Sequence, residues 1–209
     1  MEKYRNKTIV FFGDSITDSG RTINSNYPYG AGYVNMIHSE IDVWYHDYNI
    51  NIINEGISAH RTDHLLERFT TSITAHKPDL VVLFIGINDV WHPYDRNEVI
   101  IHEEIMERFD LLVNKIKELN SEILVLVPFL FPREPHKEFF DGLMPHYQVL
   151  YNNYLNYLTQ NKIDYIDLQE VMTPYNDLSL NTSTKDSVHP DILGHSVIAQ
   201  AVMNWLNKQ

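Results

Sequence analysis

Thr8-Ile9-Val10-Phe11-Phe12-Gly13-Asp14-Ser15-Ile16-Thr17-Asp18 is the stretch from which the rest of the chain can be read. Its first half is a run of β-branched and aromatic residues with no polar alternation, the pattern of a strand buried on both faces. Its second half changes abruptly to glycine, two acids and two hydroxyls, so a buried strand delivers polar groups to one point at its carboxyl end.

Similar short apolar runs recur at Ile50 to Asn54, Leu80 to Ile85, Ile123 to Val127 and Ile163 to Ile166. Between them lie stretches with helical spacing: Gly32 to Ile41, Thr62 to His76, Glu98 to Asn120, Tyr147 to Gln160 and Ile192 to Leu206. Strand and helix alternate, which implies right-handed crossovers and a parallel sheet with helices on both faces. The expected fold class is therefore α/β, a three-layer α/β/α sandwich on a five-stranded parallel sheet. The strand order is not written in this pattern. Residues 128–145 contain Pro132, Pro135, Gly142 and Pro145 and carry Phe129, Phe131, Phe139 and Phe140. They read as a long loop, either functional or tucking its aromatics into the core. With no repeat, low-complexity tract or linker, residues 1–209 are expected to form a single domain.

Composition narrows the function. The formal net charge of −12 disfavours nucleic acid and anionic membranes as partners. The absence of cysteine excludes disulfides, thiolate zinc sites and a cysteine nucleophile. The amino-terminal stretch lacks a signal-peptide pattern, and no apolar run has the length of a membrane span, so a cytoplasmic location is expected. His60 and His64 have the spacing of two ligands on one helix turn, but no HExxH motif accompanies them, and no metal site is assigned.

In an open parallel sheet, ligands collect beyond the carboxyl ends of the strands. Three polar clusters converge there: Gly13 to Asp18, Asn54-Glu55-Gly56-Ile57-Ser58 and Gly86-Ile87-Asn88-Asp89. Asp186-Ser187-Val188-His189-Pro190 precedes the last helix and can reach the same edge. A serine hydroxyl needs a base, and the base needs a partner that fixes its tautomer. Ser15, His189 and Asp186 supply these parts. Attack on an ester also builds an oxyanion, for which the Ser15 and Gly56 backbone N–H groups and the Asn88 amide are the candidate donors. Thr17 stands where the nucleophile elbow of α/β-hydrolases requires glycine, so that motif is not the one present.

These four blocks, in this order and spacing, resemble the SGNH hydrolases, also called GDSL-type esterases. The resemblance spans nearly the whole chain and implies a flavodoxin-like fold, catalytic residues Ser15, Asp186 and His189, an oxyanion hole of Ser15, Gly56 and Asn88, and no cofactor. One departure is Ala59, which stands where a second glycine is usual. Within the family, Ser15 to Asp18, Gly32-Tyr33-Val34, Ile87 to Asp95 and Val188-His189-Pro190 look like intracellular bacterial acetylesterases acting on xylan-derived sugars. That implies a small-molecule ester substrate, an acetylated sugar, with Asp14, Trp91 and Tyr94 in the substrate-binding set. Many relatives self-associate, so a homo-oligomer is compatible. The rival readings are a thioesterase or lysophospholipase, which needs room for a long acyl chain, and a non-catalytic carbohydrate-binding protein on the same fold.

Overall fold

The computed structural model describes residues 1–24, 26–176 and 187–209. Strands β1 (Thr8–Gly13), β2 (Asn51–Gly56), β3 (Leu80–Phe84), β4 (Glu122–Val127) and β5 (Asp164–Asp167) form one parallel sheet in the order β2-β1-β3-β4-β5. The chain steps from β1 to one side, then crosses back over β1 to β3 and continues to β5. The sheet thus has its topological switch point between β1 and β3, where the first strand's loop diverges from its neighbour's. Gly13 is in register with Gly56 on one side and with Phe84 on the other, so three loops leave the sheet side by side.

The helices are α1 (Ser15–Asp18), α2 (Tyr33–Trp44), α3 (Thr62–Glu67), α4 (Phe69–Ser72), α5 (Ile87–Asp95), α6 (His102–Glu118), α7 (Lys137–Gln160), α8 (Leu168–Asn176) and α9 (Ile192–Asn207). Right-handed crossovers in opposite directions place α2 on one face and α3 to α7 on the other. The contacts of α9 with α2 and α8, and of α6 with α3 and α7, complete the two outer layers. The apolar stripes match. Ile105, Phe109, Leu112, Val113 and Ile116 bury one side of α6, and Phe140, Leu143, Tyr147, Leu150, Tyr154 and Leu158 bury one side of α7. Each such side chain contributes roughly 1.5–3 kcal/mol by leaving water.

Several boundaries differ from the sequence reading. The stretch 62–76 is not one helix but α3, α4 and a 3-10 turn, and α3 gives way to α4 at Arg68, whose side chain is drawn inward. The strand-end polar cluster Gly86 to Asp89 runs into a helix, Ile87–Asp95, that forms despite Pro93, and the helix expected from Glu98 starts at His102. Residues 137–145, read as loop, form the start of α7 with Pro145 inside it. Their aromatics follow the core reading: Phe129, Phe131 and Phe140 are buried and Phe139 packs against the core. α8 also went unread, because Pro174 lies within it.

Gly13 is fixed by close approach. A Cβ there would stand 2.5 Å from the Phe84 carbonyl oxygen and would also collide with Thr17 Oγ1. The Phe84 backbone belongs to β3 and cannot step aside. Gly13→Ala is therefore expected to lower the unfolding free energy by about 3 kcal/mol, read as a fall in the urea midpoint at unchanged slope.

Candidate active site

Ser15 occupies the first position of α1, directly beyond β1. Asp14 caps the helix, its Oδ1 accepting from the Ile16 N–H at 3.0 Å. Ser15 Oγ lies 2.6 Å from His189 Nε2, although 174 positions separate them in the chain. His189 is held from both sides. The Ser187 hydroxyl accepts from the Arg133 N–H at 2.7 Å, which pins its loop to the segment after β4. Two residues on, Asp191 caps α9 by accepting from the Gly194 N–H at 2.9 Å. In the second turn of α9, His195 Nδ1 accepts from the Tyr33 N–H at 3.2 Å, tying α9 to the start of α2. Asp186, assigned from the sequence as the partner of His189, lies outside the described residues.

The loop after β2 is bound to the first block by buried polar groups. Asn54 Nδ2 donates to the carbonyls of Thr17 and Tyr29 at 2.7 and 2.8 Å, while its Oδ1 accepts from the Gly56 N–H at 2.8 Å. The Gly56 N–H is thus already engaged. Its Cα packs on the backbone of Thr17 and Asp18, where no side chain fits. Asp18 reaches back to Ser58, accepting from its hydroxyl at 2.6 Å. Ala59 follows in the left-handed region at φ 66°, and among the described residues its N–H makes no hydrogen bond to the protein.

The loop after β3 docks on the second block through adjacent residues of α5. Asn88 Nδ2 donates to the His60 carbonyl at 3.0 Å. That uses one of its two hydrogens and orients the amide. Asp89 accepts from the Thr62 N–H and from its hydroxyl at 2.6 Å, capping α3. One turn further, the Trp91 ring lies 6.2 Å from the His189 ring and edge-on to Phe140 at 5.4 Å. The structure thus brings Ser15, His189 and Trp91 together and links Asn88 to the loop after β2. Tyr94 stands farther out, against Phe139 and His146, lining a cavity of about 680 Å³ with Asp95 and Glu98. Asp14, grouped with substrate binding from the sequence, has 0% exposure and sits beneath the nucleophile rather than at the opening.

The family model described as GDSL-like Lipase/Acylhydrolase matches residues 11–197. The chain belongs to this family. It is 28% identical to the acetylxylan esterase of Geobacillus stearothermophilus over 93% of this chain and 91% of that protein. A crystal structure of a catalytic mutant of that esterase, a serine replaced by alanine, is 26% identical with a TM-score of 0.76, covering 98% of this chain and 95% of the other. A second catalytic mutant, in an aspartate, is likewise 26% identical over 98% and 95% with a TM-score of 0.74. An α/β hydrolase from the metagenome of Lake Arreo, Spain, shares the fold with a TM-score of 0.83 at 24% identity over 98% and 96% of the chains.

The electrostatics of this GDSL hydrolase are set mainly by burial. Burial pushes the Asp14 carboxyl up to about 7, against the opposing hydrogen bond from Ile16. Among the described residues its Oδ2 has no hydrogen-bond partner. Burial likewise raises Asp89 to about 6, opposed by Thr62. It lowers His195 to about 4, assisted by His189, so His195 remains a neutral acceptor for the Tyr33 N–H. It also lowers His60 to about 4, with the Arg68 charge adding to the effect.

The sequence reading passed over Arg68 and gave no role of their own to Asn54, Asp18 and His195. A signal existed for Arg68: it lies at helical spacing between buried Leu65 and Ser72 and beside buried Phe69, where an amphipathic helix has no place for a cation without partners.

The raised Asp14 value has a thermodynamic signature. Between pH 4 and pH 7 the folded state holds a proton that the unfolded state has released, so stability contributed by this group falls as pH rises. The unfolding free energy of the parent, minus that of Asp14→Asn, is expected to decrease across this window with a limiting slope of about 1.4 kcal/mol per pH unit. Chemical denaturation at half-unit pH intervals measures it, and a flat difference would show that Asp14 ionises normally.

Proposed function

We propose that this GDSL-type acylhydrolase is a serine esterase that removes acetyl groups from small carbohydrate esters through an acyl-serine intermediate. The observation that carries the chemistry is the 2.6 Å contact between Ser15 Oγ and His189 Nε2 at the carboxyl end of β1. At that distance the imidazole takes the serine proton as Oγ attacks the ester carbonyl. The same proton is then passed to the leaving alcohol, and water, activated by His189, releases the acid and frees Ser15. Asp186 is assigned the orienting role on His189, which the family resemblance supports.

The oxyanion is assigned to the Ser15 N–H, the second hydrogen of Asn88 Nδ2 and a backbone donor from the loop after β2. We assign that last donor to Ala59 in place of Gly56. The Gly56 N–H is occupied by Asn54, whereas Ala59 precedes the residue whose carbonyl orients Asn88.

The acetyl preference rests on the likeness to an acetylxylan esterase and on Trp91, whose ring stands beside His189 and narrows the space next to the nucleophile. Flat aromatic rings also suit the apolar faces of sugars. The acidic chain fits a neutral substrate better than an anionic one.

Ser15→Ala or His189→Ala is expected to lower kcat by roughly 10³ to 10⁶ with the fold retained, and Asn88→Ala by about 10² to 10³. The acid limb of the pH–rate profile should follow a single ionisation, because the imidazole must be neutral to accept the proton. For the substrate, kcat/KM is measured with p-nitrophenyl acetate, butyrate and octanoate beside acetate release from acetylated xylobiose. Acetate is expected to lead the acyl series. Octanoate turnover equal to acetate, or no release from acetylated sugars, removes the substrate assignment and leaves the serine mechanism standing.

A further inference from the structure

Arg68 lies between α3 and α4 with only 11% of its side chain exposed. A guanidinium has five N–H donors in a rigid plane, and here four hydrogen bonds and one carboxylate contact engage it. Nε donates to His60 Nδ1 at 3.1 Å, and Nη1 to Ser72 Oγ at 3.0 Å. Nη1 also faces the Glu55 carboxylate at 3.5 Å. Nη2 donates to the Gly13 carbonyl at 3.0 Å and to the Glu55 carbonyl at 2.9 Å. The plane is seated over the Phe12 ring, 4.5 Å from its centroid.

The acceptors are not scattered. Gly13 ends β1 two residues before the nucleophile, and Glu55 is the penultimate residue of β2. His60 belongs to the loop that follows, and its carbonyl accepts the Asn88 amide. Because arginine can only donate, His60 Nδ1 must be the acceptor, and the ring is held neutral with its proton on Nε2. One largely buried cation therefore touches the strand that leads to Ser15, the strand that leads to Ala59 and the residue that orients Asn88.

We propose that Arg68 is a positioning residue for ester hydrolysis, whose guanidinium sets the spacing between the Ser15 nucleophile and the oxyanion donors through Gly13, Glu55 and His60. The inference rests on the serine-esterase reading above. Its consequence is specific: loss of Arg68 leaves Ser15 and His189 in place but loosens the donors that act in the transition state. Displacements on the order of 1 Å suffice to cost about a hundredfold in rate. A lysine keeps the charge but brings three donors, so it cannot hold five acceptors.

The test is a double-mutant cycle with p-nitrophenyl acetate, using Arg68→Lys, Asn88→Ala and both together, with the melting temperature of each variant recorded. Arg68→Lys is expected to lower kcat roughly 10- to 100-fold with KM changed less than about threefold. The double variant is expected to be slower than Asn88→Ala by a smaller factor than Arg68→Lys is slower than the parent, because one of the donors that Arg68 serves is already gone. His60→Leu should reproduce the kcat loss, and His60→Asn, which restores an acceptor near the Nδ1 position, should recover most of it. That pair carries the test if Arg68 variants do not fold. Two results overturn the inference: multiplicative losses in the cycle, or near-parental kcat in Arg68→Lys and His60→Leu alongside a lower melting temperature. Either would make Arg68 a purely structural clamp. Ser15→Ala in the same assay separates the two readings, since its retained turnover would remove the esterase mechanism itself.

Discussion

Parallel pairing of β1 between β2 and β3 is the constraint on which the candidate site depends. With Gly13 opposite both Gly56 and Phe84, three loops start at one level and must turn away from one another within a few residues. Their carbonyls and amides cannot all be satisfied by the sheet, which has ended. Largely buried side chains finish the work that the ladder leaves undone: Arg68 takes up the strand-end carbonyls of Gly13 and Glu55, Asn54 the carbonyls of Thr17 and Tyr29 beyond β1, and Asp14, Asp18 and Asp89 receive the amides and hydroxyls of the turns. A polar layer beneath the opening is thus the price of ending three parallel strands together.

That layer stacks the nucleophile, the loop after β2 and the start of α5 into a connected unit. Asp18 and Asn54 join the first block to the second, while Asn88 and Asp89 join the second to the third. Several of its members are charged groups whose ionisation burial disfavours, notably Asp14 and Asp89. Removing one partner from such a network leaves the others buried and unsatisfied, so substitutions here act well beyond the contact deleted.

Much of this architecture was legible in the sequence because it rests on local pattern. Unbroken apolar runs identified the five strands, and glycine or polar residues directly after them marked the carboxyl ends where Ser15 and Asn88 stand. The strand order was not legible: β2 carries polar residues and alternates in burial while β3 is apolar and buried throughout, yet nothing local says which side of β1 each takes. Helix boundaries failed where tertiary contacts overrode propensity: α5 and α8 each contain a proline, and α7 begins within a segment dense in Pro and Gly. Within the candidate site, Ser15 and Asn88 could be singled out because their letters stand just beyond the ends of strands. The partners of Arg68 could not, because two of its acceptors are backbone carbonyls, one of them 55 positions distant, and a carbonyl carries no letter. Asp14 shows the converse, a polar letter beside the nucleophile that the fold turns inward.

The span between Ser15 and His189 bears on when the chain becomes competent during its own synthesis. Ser15 and both links from the second and third blocks are encoded in roughly the first half of the chain, but His189 sits just ahead of α9, the helix that closes against α2. Contacts at such separation form late, after the loop-closure entropy between them has been overcome. On the proposed serine mechanism, a chain that has not yet docked α9 presents a polar opening whose Ser15 hydroxyl lacks its base. Reactivity then arrives in one step with the docking of the final helix, so the onset of turnover reports completion of the fold rather than formation of the sheet.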